Sequence, residues 1–280
     1  MNTIALYDKV CLHASRNTTR AYSTSFSLGI RSLHRDLRDP IHAIYGFVRF
    51  ADEIVDTFHG HDKASLLAKF RDDTNAAIRE GISLNPILHS FQKVVNTYGV
   101  EPVLYGAFLD SMAMDLTDTA HDQRSYETYI LGSAEVVGLM CLRVFCEGDD
   151  AHYQRLKPAA MKLGAAFQKV NFLRDLKDDH NNLGRSYFPG IDIKEMTSGT
   201  KQHIEADIQA DFDAALIGIR QLPKGARFGV YVAYVYYISL FNKIKALPCE
   251  RILTERIRVR NRRKLALLTT SYLRHSFGLL

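Results

Sequence analysis

GAAFQKVNFLRDLKDD, residues Gly164 to Asp179, carries Gly164, Gln168, Asn171, Asp175 and Asp179 at steps of three or four residues. That spacing places all five on one face of an α-helix. Met161, Phe167, Val170 and Leu173 supply apolar contacts around the rest. The pattern predicts a helix that opens at Pro158 and runs to about His180, where Asn181-Asn182-Leu183-Gly184 stops it. Gln168 and Asn171 are neutral amides in an otherwise apolar stretch, and buried amides need partners.

A second acidic segment lies upstream in YGFVRFADEIVD, Tyr45 to Asp56. Asp39-Pro40 reads as a helix start, with Asp39 as cap and Pro40 at the first helical position. From there Ile41, Ile44, Val48, Ala51 and Val55 form an apolar stripe, with Tyr45, Arg49, Asp52 and Asp56 on the neighbouring one. Tyr45, Phe47, Phe50 and Ala51 surround the aspartates, so an enclosed space rather than bulk water is expected in front of them. Arg49, one turn before Asp52, is placed to meet a carboxylate or a diphosphate. A lone pair of aspartates four apart is weak, because helix surfaces carry such pairs constantly. Two such pairs facing one another would repel and resist staying ionised unless a cation sat between them. Mg²⁺ prefers hard oxygen ligands and commonly bridges a carboxylate to a substrate phosphate. Two acidic walls of this kind point to ionisation of a prenyl diphosphate.

The rest of the chain frames these segments. Its 280 residues are 46% hydrophobic and 24% charged, ample for a buried core and without a compositional break between domains. Residues 1–280 are expected to form one unit. Further helices are predicted over Tyr7–Thr24, Lys63–Glu80, Pro86–Tyr98, Pro102–Leu116, Tyr126–Phe145, His203–Leu222 and Ala226–Leu247. The fold class that follows is all-α, with a central cavity between helices. The four cysteines show no CxxC pairing, and the N-terminal residues lack the basic start and apolar core of a signal peptide. A reducing cytoplasm is the expected location, with peripheral contact at the inner face of the cell membrane. The apolar run Phe228–Phe241 is too short to span a bilayer and reads as a buried, aromatic-rich helix.

Weaker signals accompany the acidic segments. In GRSYFP (Gly184 to Pro189), Arg185 and Tyr187 suit a cover over an anionic ligand, or an ordinary capping loop. Ser23-Thr24-Ser25-Phe26 offers hydroxyls beside an aromatic ring, or a helix end. Tyr129, Gly132, Ala134, Val137 and Gly138 make a small-residue face suited to a tunnel or to helix packing. The net charge is +5, with the excess concentrated in RILTERIRVRNRRK, Arg251 to Lys264. Arg256, Arg258 and Arg260 there read as phosphate contacts, a lipid-facing patch or a solvated edge. Nucleic acid is not expected as a partner, since that stretch lacks interleaved stacking aromatics.

Together these segments resemble the squalene/phytoene synthase family, over about Ser23 to Lys264. The resemblance rests on YGFVRFADEIVD, GAAFQKVNFLRDLKDD and GRSYFP. It implies a single isoprenoid-synthase-type helical domain acting on prenyl diphosphates. It implies that Asp52, Asp56, Asp175 and Asp179, with Asn171, hold Mg²⁺ (or Mn²⁺ in its place), and that Gln168 supports metal and diphosphate. Arg49, Arg174, Tyr187, Ser23, Ser25 and Arg256 would contact diphosphate. Phe26, Tyr129, Val137 and Tyr237 would line the prenyl cavity. Two departures stand out: Glu53 where many relatives have aspartate, and GSAEVVG (Gly132 to Gly138), which brings Ser133 and Glu135 near the expected tunnel.

The activity implied is head-to-head condensation of two geranylgeranyl diphosphates to phytoene through a cyclopropylcarbinyl diphosphate. The near alternative is a dehydrosqualene- or squalene-type synthase using farnesyl diphosphate. No glycine-rich dinucleotide fingerprint follows a strand, so no nicotinamide is expected. A non-catalytic relative acting as an assembly factor would be expected to lose acidic residues, and all four aspartates are present.

Overall fold

A computed structural model describes residues 3–117, 121–178, 187–190, 196–254, 257 and 266–272, and the side chains of 177 and 178 lie outside that description. Among the described residues regular structure is entirely helical. The helices are α1 (Thr3–Tyr22), α2 (Thr24–Arg31), α3 (Arg35–Asp56), α4 (Lys63–Glu80), α5 (Pro86–Tyr98) and α6 (Pro102–Thr117). They are followed by α7 (Gln123–Ile130), α8 (Val136–Cys146), α9 (Asp150–Asp178), α10 (Ser198–Gln221), α11 (Lys224–Lys245) and α12 (Cys249–Thr254). Between α7 and α8 the chain makes a π-helical turn, Leu131–Glu135.

The two acidic helices begin earlier than their prolines suggest. α3 opens at Arg35, so Pro40 lies inside it and Asp39 caps nothing. Asp39 instead takes the Arg16 guanidinium, at 2.8 Å from Nε and 2.6 Å from Nη2, which fastens α1 to α3. α9 opens at Asp150 and likewise carries Pro158 in its interior. Each proline forfeits one intrahelical hydrogen bond, a loss that neighbouring helices offset by burying the strand of helix around it. Local start signals were outweighed by packing.

Two cores flank a central space. In one, Phe47 is fully buried and stacks on Phe91 at 3.9 Å, with Phe70 and Phe108 at 5.6 Å, joining α3, α4, α5 and α6. The apolar stripe of α3 supplies this core, and Ile44, Ala51 and Val55 are buried as its period predicts. In the other, Phe172, Leu173, Phe212, Tyr234 and Phe241 bind α9, α10 and α11 together. α11 is the aromatic-rich buried helix foreseen in Phe228–Phe241. Gln123–Cys146 is long and apolar enough to cross a membrane by length and composition. Its residues Ile130, Val136, Leu139, Met140 and Leu142 are, however, buried within the domain.

The π turn crosses α9 at Gly164. A Cβ on Gly164 would lie 2.7 Å from the Ala134 carbonyl oxygen and 2.9 Å from Glu135 Cα, both backbone atoms that have no rotamer with which to retreat. Gly164→Ala is therefore expected to lower stability by about 2 kcal/mol, read from the urea midpoint at unchanged m-value. A pH effect comes from His42, which is buried on α3 with Nδ1 2.9 Å from Thr19 Oγ1. Burial pushes its pKa down to about 4, against a smaller opposing pull from Asp39, while Arg16 and Arg20 add to the lowering. The unfolded chain binds a proton near 6.5 where the folded chain does not, so stability falls as pH drops between those values. Unfolding titrations should show about 1–2 kcal/mol lost between pH 7 and pH 5, and His42→Gln should flatten that slope.

Candidate active site

The space between the cores is an apolar cavity of about 330 Å³, the lower end of the range for small-molecule sites. Helices α2, α3, α8, α9, α10 and α11 and the π turn all contribute walls. α3 and α9 scarcely touch; the cavity lies between them. Its polar end is formed by Tyr45, Gln168, Asn171 and Tyr237, and its far end by Leu33, Phe145, Leu156 and Leu222. Phe26, Ser133, Val137, Gly138, Gly164 and Phe167 line the length between.

Helical spacing carries the acidic residues just beyond the polar end. Asn171 is one turn before Asp175, and Tyr45 is two turns before Asp52. A chain of rings links the two helices there: Phe26 lies 5.8 Å from Tyr45 and 6.3 Å from Tyr237. Tyr237 in turn donates its hydroxyl to Asn171 Oδ1 at 3.3 Å and stacks on Phe167 at 3.8 Å. Burial pushes the Tyr45 hydroxyl up to about 12, with the Asp52 charge adding to the rise and Arg49 opposing it. Tyr237 is raised by burial too, with Asp175 adding and Arg174 opposing. Tyr45 thus feels the carboxylate and the arginine of its own helix, and Tyr237, on α11, feels those of α9.

Arginines hold both carboxylates. Arg49 donates to Asp52 and to Glu53, and its guanidinium lies 4.3 Å over the Tyr22 ring. Arg174 donates from Nε to both oxygens of Asp175, at 3.0 and 3.1 Å. The Asp52 side chain is 34% exposed and that of Asp175 18%, so both are reachable from the cavity mouth yet partly desolvated. Asp56 is half-buried one turn further along α3. Among the described residues no three His, Cys, Asp or Glu side chains converge into a ready-made metal cage. The donors present are hard oxygens: the carboxylates of Asp52 and Asp56 on α3 and of Asp175 on α9, with the amides of Asn171 and Gln168 on the turns of α9 before Asp175. That set suits Mg²⁺ bound by one or two carboxylates and completed by substrate phosphate.

Several predicted residues fall where expected and others do not. Phe26, Val137, Gln168, Asn171 and Tyr237 line the cavity. Tyr129 does not; it is buried on the other side of α9, where its hydroxyl donates to Asp115 at 2.8 Å. Tyr187 stacks on Phe172 at 4.2 Å and on His121 at 5.6 Å in that same aromatic cluster. Ser23 caps α2, its Oγ accepting from Phe26 N–H at 3.1 Å, which is the helix-end role; Ser25 is half-buried in the first turn. Phe47 and Ala51 face the core rather than the aspartates, and Phe50 is exposed, so Tyr45 and Val48 are what enclose the site. Asp179, Arg185 and Arg256 lie outside the described residues.

Sequence spacing missed three participants. Glu53 shares Arg49 with Asp52 and is only 13% exposed. Tyr22 comes from α1, a helix with no motif. Ser133 Oγ is buried without a hydrogen-bond partner in the π turn and lines the cavity, and only its place in GSAEVVG marked it. Glu135 stays out of the lining. Burial raises its pKa, and Asp211 adds to the rise while Lys162 and Lys169 pull it back.

Comparison with known proteins gives a family and a fold. The profile of the squalene/phytoene synthase family matches residues 19–263. The presqualene diphosphate synthase of Rhodopseudomonas palustris is 30% identical over 174 residues, covering 60% of this chain and 59% of that protein, so the match spans under two thirds of the relative. The phytoene synthase of Pseudescherichia vulneris is 30% identical over 262 residues, covering 84% and 82%. The crystal structure of a dehydrosqualene synthase in complex with ligand superposes with a TM-score of 0.83 at 18% identity, covering 96% of this chain and 98% of that one. At that identity the likeness speaks for the fold.

Proposed function

Since this chain belongs to the squalene/phytoene synthase family, whose chemistry is head-to-head prenyl condensation, we propose that it joins two farnesyl diphosphates into a C30 product through a cyclopropylcarbinyl diphosphate. The observation that carries the reading is the apolar cavity capped at one end by Asn171, Gln168 and two tyrosines, with Arg49–Asp52 and Arg174–Asp175 just beyond. The fifteen-carbon substrate is supported by the sequence likeness to presqualene diphosphate synthases. Phytoene formation from geranylgeranyl diphosphate is the second reading, supported by a phytoene synthase relative that matches over more of its length.

The protein's part in the reaction follows from its residues. Arg49 and Arg174 set fixed positive charge at the mouth, where an allylic diphosphate would place its leaving group. Asp52, Asp56, Asp175 and Asn171 would hold Mg²⁺ or Mn²⁺, which supplies Lewis-acid neutralisation of the departing diphosphate. The prenyl tail lies along Val137, Gly138 and Gly164, away from water that would quench an allylic cation. The faces of Phe26, Phe167 and Tyr237 offer quadrupole stabilisation to that cation while the second substrate's double bond attacks it. Loss of a proton then closes the three-membered ring. With Tyr45 raised to about 12 and Tyr237 raised as well, both hydroxyls stay protonated at neutral pH. The departing diphosphate is therefore the better proton acceptor.

The test is incubation of purified protein and Mg²⁺ with farnesyl or geranylgeranyl diphosphate, followed by extraction of hydrocarbon and of diphosphate intermediates. A C30 product is expected. Product from geranylgeranyl diphosphate alone would transfer the assignment to phytoene, and no product from either would end the condensation reading. Asp52→Asn and Asp175→Asn are each expected to lower turnover at least about a hundredfold with the helical circular dichroism unchanged. Phe145 stands at the far end of the cavity, so Phe145→Ala should deepen it. Product should then shift from C30 toward C40 when both substrates are supplied in equal amount.

A further inference from the structure

The cavity wall at the end farthest from the acidic residues is thin. Leu33, in the turn between α2 and α3, lines the cavity and also lines a second, shallow surface pocket with His34, Arg35, Arg38, Lys224 and Phe228. Its side chain rests on bare backbone: a Cβ at Gly229 would come within 2.4 Å of Leu33 Cδ2. The turn is tied on both sides. Arg38 Nε donates to the Leu33 carbonyl at 2.9 Å, and the His34 N–H donates to the Gly225 carbonyl at 2.8 Å.

The outer pocket is cationic with an aromatic margin. Arg35 is 84% exposed at its side chain. Lys224 is exposed and has no carboxylate partner among the described residues. Asp36 is the acidic residue at this face, 3.4 Å from His34 Nδ1 and 3.5 Å from Arg35 Nε, so the cations outnumber it. Phe228 meets Tyr272 edge to face at 6.0 Å, and Tyr272 is 59% exposed. Tyrosine favours the headgroup level of a bilayer, and each basic side chain near an anionic surface strengthens binding about fivefold. A hydrocarbon that has shed its diphosphate has no partner at the acidic end and no favourable route through water.

We propose that this face docks on an anionic phospholipid bilayer and that Leu33 is the door through which hydrocarbon product passes to the acyl chains. The door rests on the condensation reading of the cavity, whereas the docking does not. Flotation with vesicles of phosphatidylcholine, alone or mixed with phosphatidylglycerol, tests the docking without substrate. Binding is expected only to the mixed vesicles. Arg35→Glu combined with Lys224→Glu should weaken it by about tenfold or more, and the Arg35→Gln, Lys224→Gln pair should fall between, with circular dichroism unchanged in both. Equal binding by wild type and charge-reversed protein would overturn the proposal. So would binding lost through Arg260→Glu with Arg262→Glu and untouched by the Arg35 and Lys224 changes. In detergent micelles the charge-reversed protein should turn over at the wild-type rate, while its delivery of hydrocarbon into mixed vesicles drops. Equal delivery would remove the door. Charge-dependent vesicle binding with no turnover on either prenyl diphosphate would sink the condensation reading and leave the docking face standing.

Discussion

Two carboxylate-bearing helices that are held apart, rather than packed together, set the terms for the rest of this molecule. α3 and α9 each need a buried back and an open front. The Phe47–Phe91 stack supplies the back of α3, and the Phe172 and Phe212 clusters supply that of α9. With both backs satisfied, the fronts can enclose an unfilled apolar space, which a single close-packed core would not allow. Like charges at the mouth are tolerated because each carboxylate is met by an arginine of its own helix, so neither depends on the other helix for charge balance.

The rotation of α9 about its axis is fixed from behind. Lys169 is buried and reaches Asp211 at 2.7 Å, and Lys162 reaches the same carboxylate at 2.8 Å. Asp211, on α10, is 2% exposed. A carboxylate that far from water is costly to leave unpaired, so two lysines on one face of α9 can turn only a little before the pairing fails. That keeps Gly164, Gln168 and Asn171 toward the cavity. The π turn completes the arrangement by crossing α9 at Gly164 with backbone against backbone, and such turns recur at functional sites.

A cavity with a charged mouth and an apolar body divides its labour by distance. In the proposed reaction the charged groups would act on the diphosphate at the mouth, while the tail would be governed by side chains about five turns of helix away. The far-end residues Phe145, Leu156 and Leu222 come from α8, from α9 and from the turn after α10. On the proposed reaction, the length of prenyl chain admitted is set by how these ends converge.

The periodicity of Ile41, Ile44, Val48, Ala51 and Val55, and of Gly164, Gln168 and Asn171, was enough to give the helices, their faces and the amides that meet the cavity, because a residue's neighbours at three and four positions are fixed by helix geometry alone. The starts of α4, α5 and α6 fall where the sequence puts them, but those of the two acidic helices were not legible. Pro40 and Pro158 look like first-turn residues, yet packing carried each helix back past them. Tyr129 and Tyr187 could not be placed either: an aromatic beside a small-residue face suits a tunnel or a core equally, and a tyrosine in GRSYFP suits a ligand cover or a capping loop; the position of Phe172 and Asp115 put both in the core. Tyr22 and Leu33 acquire their roles from a partner on another helix or from cavity walls built by several elements. Contacts of that kind depend on how rigid bodies are set against one another, and one-dimensional spacing holds no record of it.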